Sequence, residues 1–414
     1  MRRFFLFVLL ASAMAPAWCE GHLTSVGTGL DEVPVAVVKG TPYEMGYSLG
    51  ELTKDHAAAM LNGFLSISQA SGSPRYTDEN LDAAWEAVSP YISDRFKQEM
   101  LGLADGSGIS HDTIRRVHML PVVSNYSCSS LAAWGKATKT GDLYQTRALD
   151  WEMGVGAQDH PLLVVYLPDA GVPHVNVTFA GYIGVNTGMN AEGICLSEMG
   201  DSPGGDYPFD LDGAHFTTLF RDVLYDAKSL DDAIAIIRQA KRIKKYHYVV
   251  GDGKHNKAAV KMLAHAPNLL VWKDNDPTDE LAPNVLENVV YQDEGRGAFR
   301  PLQEAWGRID EQVMIDIVKL IPIKGSNVLD VVYNGASLEL WVAYAEGEVE
   351  AYKRPFVHFD LDDYLTYNAP AAATEAVSTD APSTDGGGGS PMAGIVLAAA
   401  LVVALGVVVW VIKR

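Results

Sequence analysis

Cysteine is scarce in this chain: three residues, at positions 19, 128 and 195. That excludes a disulfide-stapled scaffold and the paired-cysteine zinc sites that need several thiols at short spacing. The eleven histidines fall into no His-Glu-X-X-His pattern, so no metal site is expected. The carboxylates of Asp274-Asn-Asp-Pro-Thr-Asp279 lack the glycine of a calcium loop and read as an acidic turn. Positive charge is short as well. A formal net charge of −20 argues against nucleic acid as a partner.

Two ends of the chain carry what the middle lacks, long apolar runs. Met1-Arg-Arg-Phe-Phe-Leu-Phe-Val-Leu-Leu10 sets two basic residues before an apolar stretch that ends in small residues and Pro ahead of Cys19. That is the pattern of a cleaved secretory signal, over 1–19. Met392 to Ile412 is unbroken apolar sequence, the length of a membrane-spanning helix, and Lys413 and Arg414 after it read as a short cytoplasmic tail. Residues 369–391, with Gly386-Gly-Gly-Gly-Ser390, read as a flexible stalk. Small residues before an apolar tail also fit a lipid-anchor signal, so both readings of this end stand. The expected location is the secretory pathway, as a single-pass membrane protein whose main domain is extracellular or lumenal. Asn125-Tyr-Ser127 and Asn176-Val-Thr178 are acceptor triplets for glycosylation.

Between signal and stalk, periodicity predicts helices from Gly40 to about Leu120, punctuated by Pro42, Gly50, Pro74 and Gly106-Ser-Gly108. The turn Lys139-Thr-Gly-Asp142 predicts a hairpin joining Leu131–Trp134 to Leu143–Asp150. Short strands follow at Leu162–Leu167, His174–Phe179, Tyr182–Thr187 and Ile194–Ser197. Two helices come next, Phe216–Ala227 and Leu230–Lys241, with Ser229 as N-cap of the second. Further strands, two helices and closing strands complete the order. Runs of strands with segregated helices imply an α+β architecture rather than alternating βαβ units.

Within the hairpin lies the chemistry. Cys128 sits in Asn125-Tyr-Ser-Cys-Ser-Ser-Leu-Ala-Ala-Trp134, and Arg147-Ala-Leu-Asp150-Trp151 lies on the partner strand. A guanidinium stabilises a thiolate, and a carboxylate orients an amine or imidazole base. Residues three apart on a regular strand point to opposite faces, so Arg147 and Asp150 share one pocket only across a bulge or a strand end.

These residues resemble the cysteine-type N-terminal nucleophile (Ntn) hydrolases, and within them the penicillin acyltransferase-like branch. That branch, named for acyl-coenzyme A:6-aminopenicillanic acid acyltransferase, is related to acid ceramidases, N-acylethanolamine acid amidases and choloylglycine (bile-salt) hydrolases. Cys128 through Asp142 resembles the nucleophile strand and first turn; Arg147-Ala-Leu-Asp150-Trp151 resembles the family's Arg-Asn-Leu-Asp-Trp signature. Gly181 to Gly193 is similar to its Gly-rich strand pair, and Gly40-Thr-Pro-Tyr-Glu-Met-Gly46 to the start of its propiece. Ala148 stands where the family usually has Asn, and Ser129 where Thr is frequent.

The resemblance implies a four-layer αββα sandwich of two antiparallel sheets, made as a precursor. A helical propiece over 20–127 would be cut from a catalytic part over 128–368 at the Ser127–Cys128 bond, the two fragments staying associated. Cys128 then becomes an N-terminus whose own α-amine, with a reference pKa of ~7.7, serves as general base. Asp150 would bind that amine, Arg147 would sit beside the sulfur, and Asn288 would donate to the oxyanion. Arg296 or Arg300 would match a later structural arginine. No cofactor is implied. The substrate would be a non-peptide N-acyl amide, lipid-like if the tether holds the domain near a bilayer. The same thioester would serve an amide-forming acyltransferase.

Other readings use the same residues. Cys128 is also what a small buried filler looks like, and the chain would then be a catalytically inactive, membrane-tethered binding ectodomain. Arg147 and Asp150 would make a structural ion pair. Cys195, in Gly193-Ile-Cys-Leu196, reads as core, though a Cys128–Cys195 disulfide is compatible with an oxidising compartment. Asn190 and Glu192 read as turn residues. Glu198 fits either the pocket or a solvated strand face.

Overall fold

The computed structural model describes residues 20–366 apart from 126, 201–207, 266, 294, 296 and 324. The signal (1–19), stalk (369–391), apolar C-terminal run (392–412), basic tail (413–414) and Arg296 lie outside the described residues. Among the described residues no helix is long and apolar enough to cross a membrane.

Two strands come first, β1 (Glu20–Val26) and β2 (Val33–Gly40), then helices α1 (Pro42–Ala70), α2 (Asp78–Val88), α3 (Asp94–Ser107) and α4 (His111–Val123). Strands β3 (Ser127–Ala133), β4 (Tyr144–Trp151), β5 (Pro161–Pro168), β6 (His174–Phe179), β7 (Thr187–Asn190) and β8 (Ile194–Gly200) follow. Helices α5 (Phe216–Asp226) and α6 (Leu230–Gln239) precede β9 (Lys245–Asp252), β10 (Ala258–His265), β11 (Asn268–Trp272) and β12 (Val289–Gln292). The remainder is α7 (Phe299–Ala305), α8 (Glu311–Val318), β13 (Ser326–Asn334), β14 (Glu339–Tyr344), β15 (Val357–Asp360) and α9 (Asp362–Leu365).

Among the described residues these strands form two sheets. The first runs β1-β2-β5-β6-β7-β8-β9-β10-β11 and the second β12-β3-β4-β13-β14-β15. Apolar residues on the facing sides, among them Val177, Met189 and Cys195 from the first and Cys128, Leu149 and Val331 from the second, make the central core. Helices α1 to α4 cover the outer face of the first sheet over Val38, Val164 and Tyr166. Helices α5 and α6 cover it further along, over Leu196 and Tyr248. On the outer side of the second sheet, Leu302 of α7 and Met314 of α8 pack on Leu131 and Val332. The layer order is helix, sheet, sheet, helix.

Two expectations need correction. The segment 20–127 is not helical throughout, because β1 and β2 give it the edge of the larger sheet. Nor is that sheet wholly antiparallel: β2 pairs in parallel with β5, Val35 opposite Leu163. Strand β2 leads into four helices before the chain returns, so its partner need not run against it. Ser229 does cap α6, its side chain accepting from Asp232 N at 3.2 Å.

Helix α1 begins where Thr41 and Glu44 satisfy each other's backbone N–H, with Pro42 in the first turn. It then crosses α3 closely, and glycines on both helices allow it. A Cβ at Gly46 would lie 2.0 Å from Glu99 O, and one at Gly102 2.0 Å from Tyr43 O. Gly46→Ala therefore forces the helices apart. We expect a loss of about 1–3 kcal/mol, typical of overpacking, seen as a lower denaturant midpoint at unchanged slope. No midpoint shift would mean the crossing adjusts freely.

Candidate active site

The hairpin β3–β4 is interior to the second sheet, between β12 and β13. Its register is regular throughout: Ser127 opposite Asp150, Cys128 opposite Leu149, Ser129 opposite Ala148. Alternation then sorts the side chains. Cys128, Arg147 and Leu149 face the other sheet, whereas Ser129, Ala148 and Asp150 face α8 and the loops beside it. The irregularity nearby belongs to β13, between Asn327 and Leu329, and leaves β4 straight. Arg147 and Asp150 are on opposite faces.

On the inner face Arg147 Nη2 donates to Cys128 Sγ at 3.3 Å. Both residues are 0% exposed, and so is Glu198 of β8, whose Oε2 lies 3.7 Å from Arg147 Nη2. Glu198 therefore belongs to the site rather than to a solvated face. The backbone N–H of Gly200 is close enough to the sulfur to pull its pKa down. Burial pushes the Cys128 thiol up to about 12; Arg147 pulls it down, and Glu198 and Asp150 push it up. In the intact chain this thiol is closed off from solvent. Cys195 is a second buried thiol, neither cysteine being in a disulfide, and burial raises it further still.

Above Arg147 and Leu149 opens a mostly apolar crevice enclosing about 570 Å³, part of it open to solvent. Met60 and Phe64 of α1 line one side, and Trp151, Val155 and Phe179 another. Asn186 and Thr187 add polar atoms: Asn186 Oδ1 and Thr187 Oγ1 are buried without a hydrogen-bond partner among the described residues. A crevice of this kind suits an apolar chain ending in a polar group.

Asn288 is not part of this site. Its backbone oxygen accepts from Trp134 N at 3.0 Å, at the far end of β3 from Cys128, roughly 20 Å away at strand rise. It takes a positive φ of 58° and its Oδ1 accepts from Lys136 N, so it shapes a turn. Arg300 is a surface residue paired with Glu304. Asn176 is 0% exposed in β6 and its Nδ2 donates to Gly184 O at 3.2 Å, which leaves no room for a glycan in the folded chain. Asn125 stays partly exposed just ahead of β3.

Comparison with known proteins gives distant likenesses. No family model matches the chain. Protein dcd1B of Dictyostelium discoideum is 26% identical over 399 residues, covering 85% of this chain and 78% of that protein. Protein dcd1A of the same organism is 25% identical over 401 residues, covering 83% and 88%. Among solved structures, a Caenorhabditis elegans N-acylethanolamine-hydrolyzing acid amidase ortholog aligns with a TM-score of 0.42 at 15% identity, covering 56% of this chain and 99% of that one. At such distances the chemistry has to be read from the side chains.

One side chain that sequence reasoning passed over is Gln292. It ends β12 opposite Ser130, on the face that Cys128 shares, and so lies diagonal to Cys128 at roughly 7–8 Å. It is 1% exposed, and neither polar atom of its amide has a hydrogen-bond partner among the described residues. A buried amide in that state is a donor without an acceptor. Its signal in the sequence is faint: an amide closing a short strand before the turn Asp293-Glu-Gly295. A serine alternative, Gly200-Asp-Ser202-Pro-Gly204, has nucleophile-elbow spacing, but Pro203 lacks the N–H that an elbow contributes to its oxyanion hole.

Proposed function

We propose that the chain is a precursor that cuts itself between Ser127 and Cys128, and that the freed Cys128 hydrolyses a non-peptide N-acyl amide. The observation carrying this reading is Arg147 Nη2 at 3.3 Å from a wholly buried Cys128 Sγ, Arg147 itself lining an apolar crevice. In the first reaction Sγ adds to the Ser127 carbonyl carbon, the C–N bond breaks, and the thiol proton ends on the nitrogen of Cys128. Water then cleaves the thioester, leaving a Ser127 carboxylate, a Cys128 thiol and a new α-amine. In the second reaction that amine takes the thiol proton and the thiolate attacks the substrate amide carbonyl; the C–N bond breaks as the α-ammonium returns its proton to the leaving amine, and water cleaves the acyl-thioester to free acid and thiol.

Gly200 N–H and the Gln292 amide are the donors at hand for the oxyanion. The crevice favours an aliphatic acyl chain, with Asn186 and Thr187 meeting the amide end. Transfer of the acyl group to an amine acceptor would use the same thioester. Ties across the cut would hold the fragments together: Arg221 of α5 pairs with Glu99 of α3, both 1% exposed, and Arg95 pairs with Asp222 at 2.7 Å.

One observation favours the inert-ectodomain reading: a thiol with no exposure and a raised pKa is what a core cysteine has. N-terminal sequencing of the purified chain decides between them. We expect a fragment beginning Cys128-Ser-Ser. A wild-type chain that stays whole at neutral and mildly acidic pH overturns the proposal.

A further inference from the structure

The face of the second sheet turned away from the sulfur carries a cluster that the reaction above does not use. Asp150, Asp330 and Asn327 line a small cavity together with Ser129 and Tyr352. Asp330 sits on β13 opposite Ala148, and the irregularity after Asn327 sets that residue opposite Asp150. The two carboxyl groups are thereby brought onto one face, diagonal to each other. Asp330 is 0% exposed. Its Oδ1 accepts from Asn327 Nδ2 at 2.9 Å, while its Oδ2 has no hydrogen-bond partner among the described residues. Asn327 cannot turn to serve both oxygens, because its own Oδ1 accepts from Tyr352 N at 2.8 Å.

Two carboxylates in one water-poor cavity do not both ionise at neutral pH. Burial pushes the Asp330 carboxyl up to about 7, and the Asp150 charge adds to this. The Asn327 amide, Arg147 from the opposite face and Lys319 at the end of α8 work the other way. Glu350 stands behind Asn327, accepting from its N at 3.4 Å, and is itself paired with Lys353.

We propose that Asp330 is a positioning residue for the self-cleavage: it keeps one proton on Oδ2 and donates it to Asp150, fixing that carboxylate opposite Ser127 where the nitrogen of Cys128 is released. Asp150 is then the single anion that receives the new α-amine, and Asp330 keeps its own proton throughout. The two faces of one hairpin divide the labour. Arg147 and Glu198 attend to the sulfur, and Asp150 with Asp330 to the nitrogen. This inference rests on the self-cleavage reading.

Two measurements on the full chain test it. In Cys128→Ala, which cannot cut, the aspartate carboxyl carbons are titrated by NMR, Asp330 being assigned by its loss in Asp330→Asn. We expect a midpoint near neutrality that falls by a pH unit or more when Asp150→Asn is added; an Asp330 titrating in the ordinary carboxylate range overturns the proposal. The second measurement is the rate at which freshly translated chain yields the fragment beginning at Cys128. In wild type it should fall about tenfold from one pH unit below the midpoint to one above. Asp330→Asn, which keeps a neutral group of the same shape, should lack that fall and cut comparably to wild type on the acid side. An unchanged pH profile in Asp330→Asn refutes the positioning role. A wild type that never cuts sinks the self-cleavage reading instead, and the NMR titration still reports whether the proton is shared.

Discussion

Cys128→Ala leaves the chain whole and abolishes amide hydrolysis. The loss is complete rather than partial because one sulfur serves both reactions: it opens the Ser127–Cys128 bond, and it later carries the substrate acyl group. No neighbouring side chain can stand in, since Arg147 is cationic and Glu198 is a poor nucleophile toward an amide. We expect a fall of at least about 10³-fold in both rates, at the level of background. Stability should change by only about 1 kcal/mol, because a buried thiol behaves as a small apolar group and alanine leaves a minor void. Gel analysis with intact-mass measurement reads the first effect, and release of free acid from an N-acyl amide the second. A Cys128→Ala chain still cut after Ser127 would mean that an external protease does the cutting. One that stays whole yet hydrolyses amides would turn attention to Ser202. Thiol labelling adds an independent reading: Cys128, raised to about 12 by burial in the intact chain, should resist alkylation there and react once it is an N-terminus.

Local signals carried much of this site. The turn Lys139-Thr-Gly-Asp142 placed the hairpin, and strand periodicity allowed Arg147 and Asp150 one pocket only across a bulge or strand end; β4 has neither between them, and they face opposite ways. Helices α5 and α6 and the Ser229 cap were also readable, because each is set by residues within a turn or two. What was not readable depends on partners distant in sequence. Pairing of β12 with β3 joins residues more than a hundred positions apart, and only that register shows Gln292 beside Cys128 and Asn288 at the far end. Glu198 looked equally suited to solvent, since a strand's alternation says which residues share a face but not what that face meets. Asp330 gave no signal at all. Val331-Val-Tyr333 reads as a buried strand, and the aspartate before it acquires meaning only from Ala148 and Asp150 across the sheet.

Arg147→Met separates what this arginine does for the fold from what it does for the sulfur. Arg147 and Glu198 are both fully buried, with 3.7 Å between Nη2 and Oε2. Removing the cation strips a buried carboxylate of the positive charge it faces, a change that costs about 3–5 kcal/mol. The denaturant midpoint should fall accordingly, with slope unchanged. Adding Glu198→Gln removes the charge that was left behind, and Arg147→Met/Glu198→Gln should recover most of the loss, since apolar and neutral replacements of a buried pair are often tolerated. Cleavage should not recover with it. Without the guanidinium at 3.3 Å nothing comparable offsets the burial that raises the thiol, so the double variant should cut at least about a hundredfold more slowly than wild type. Glu198→Gln alone should show the converse, a less stable chain that still cuts, because it removes a charge that raises the thiol. Arg147→Lys should not substitute, as a shorter point charge cannot reproduce the planar donor. If the double variant regained both stability and cleavage, Arg147 would be a structural partner of Glu198 and the thiol would have to be activated from the Asp150 face.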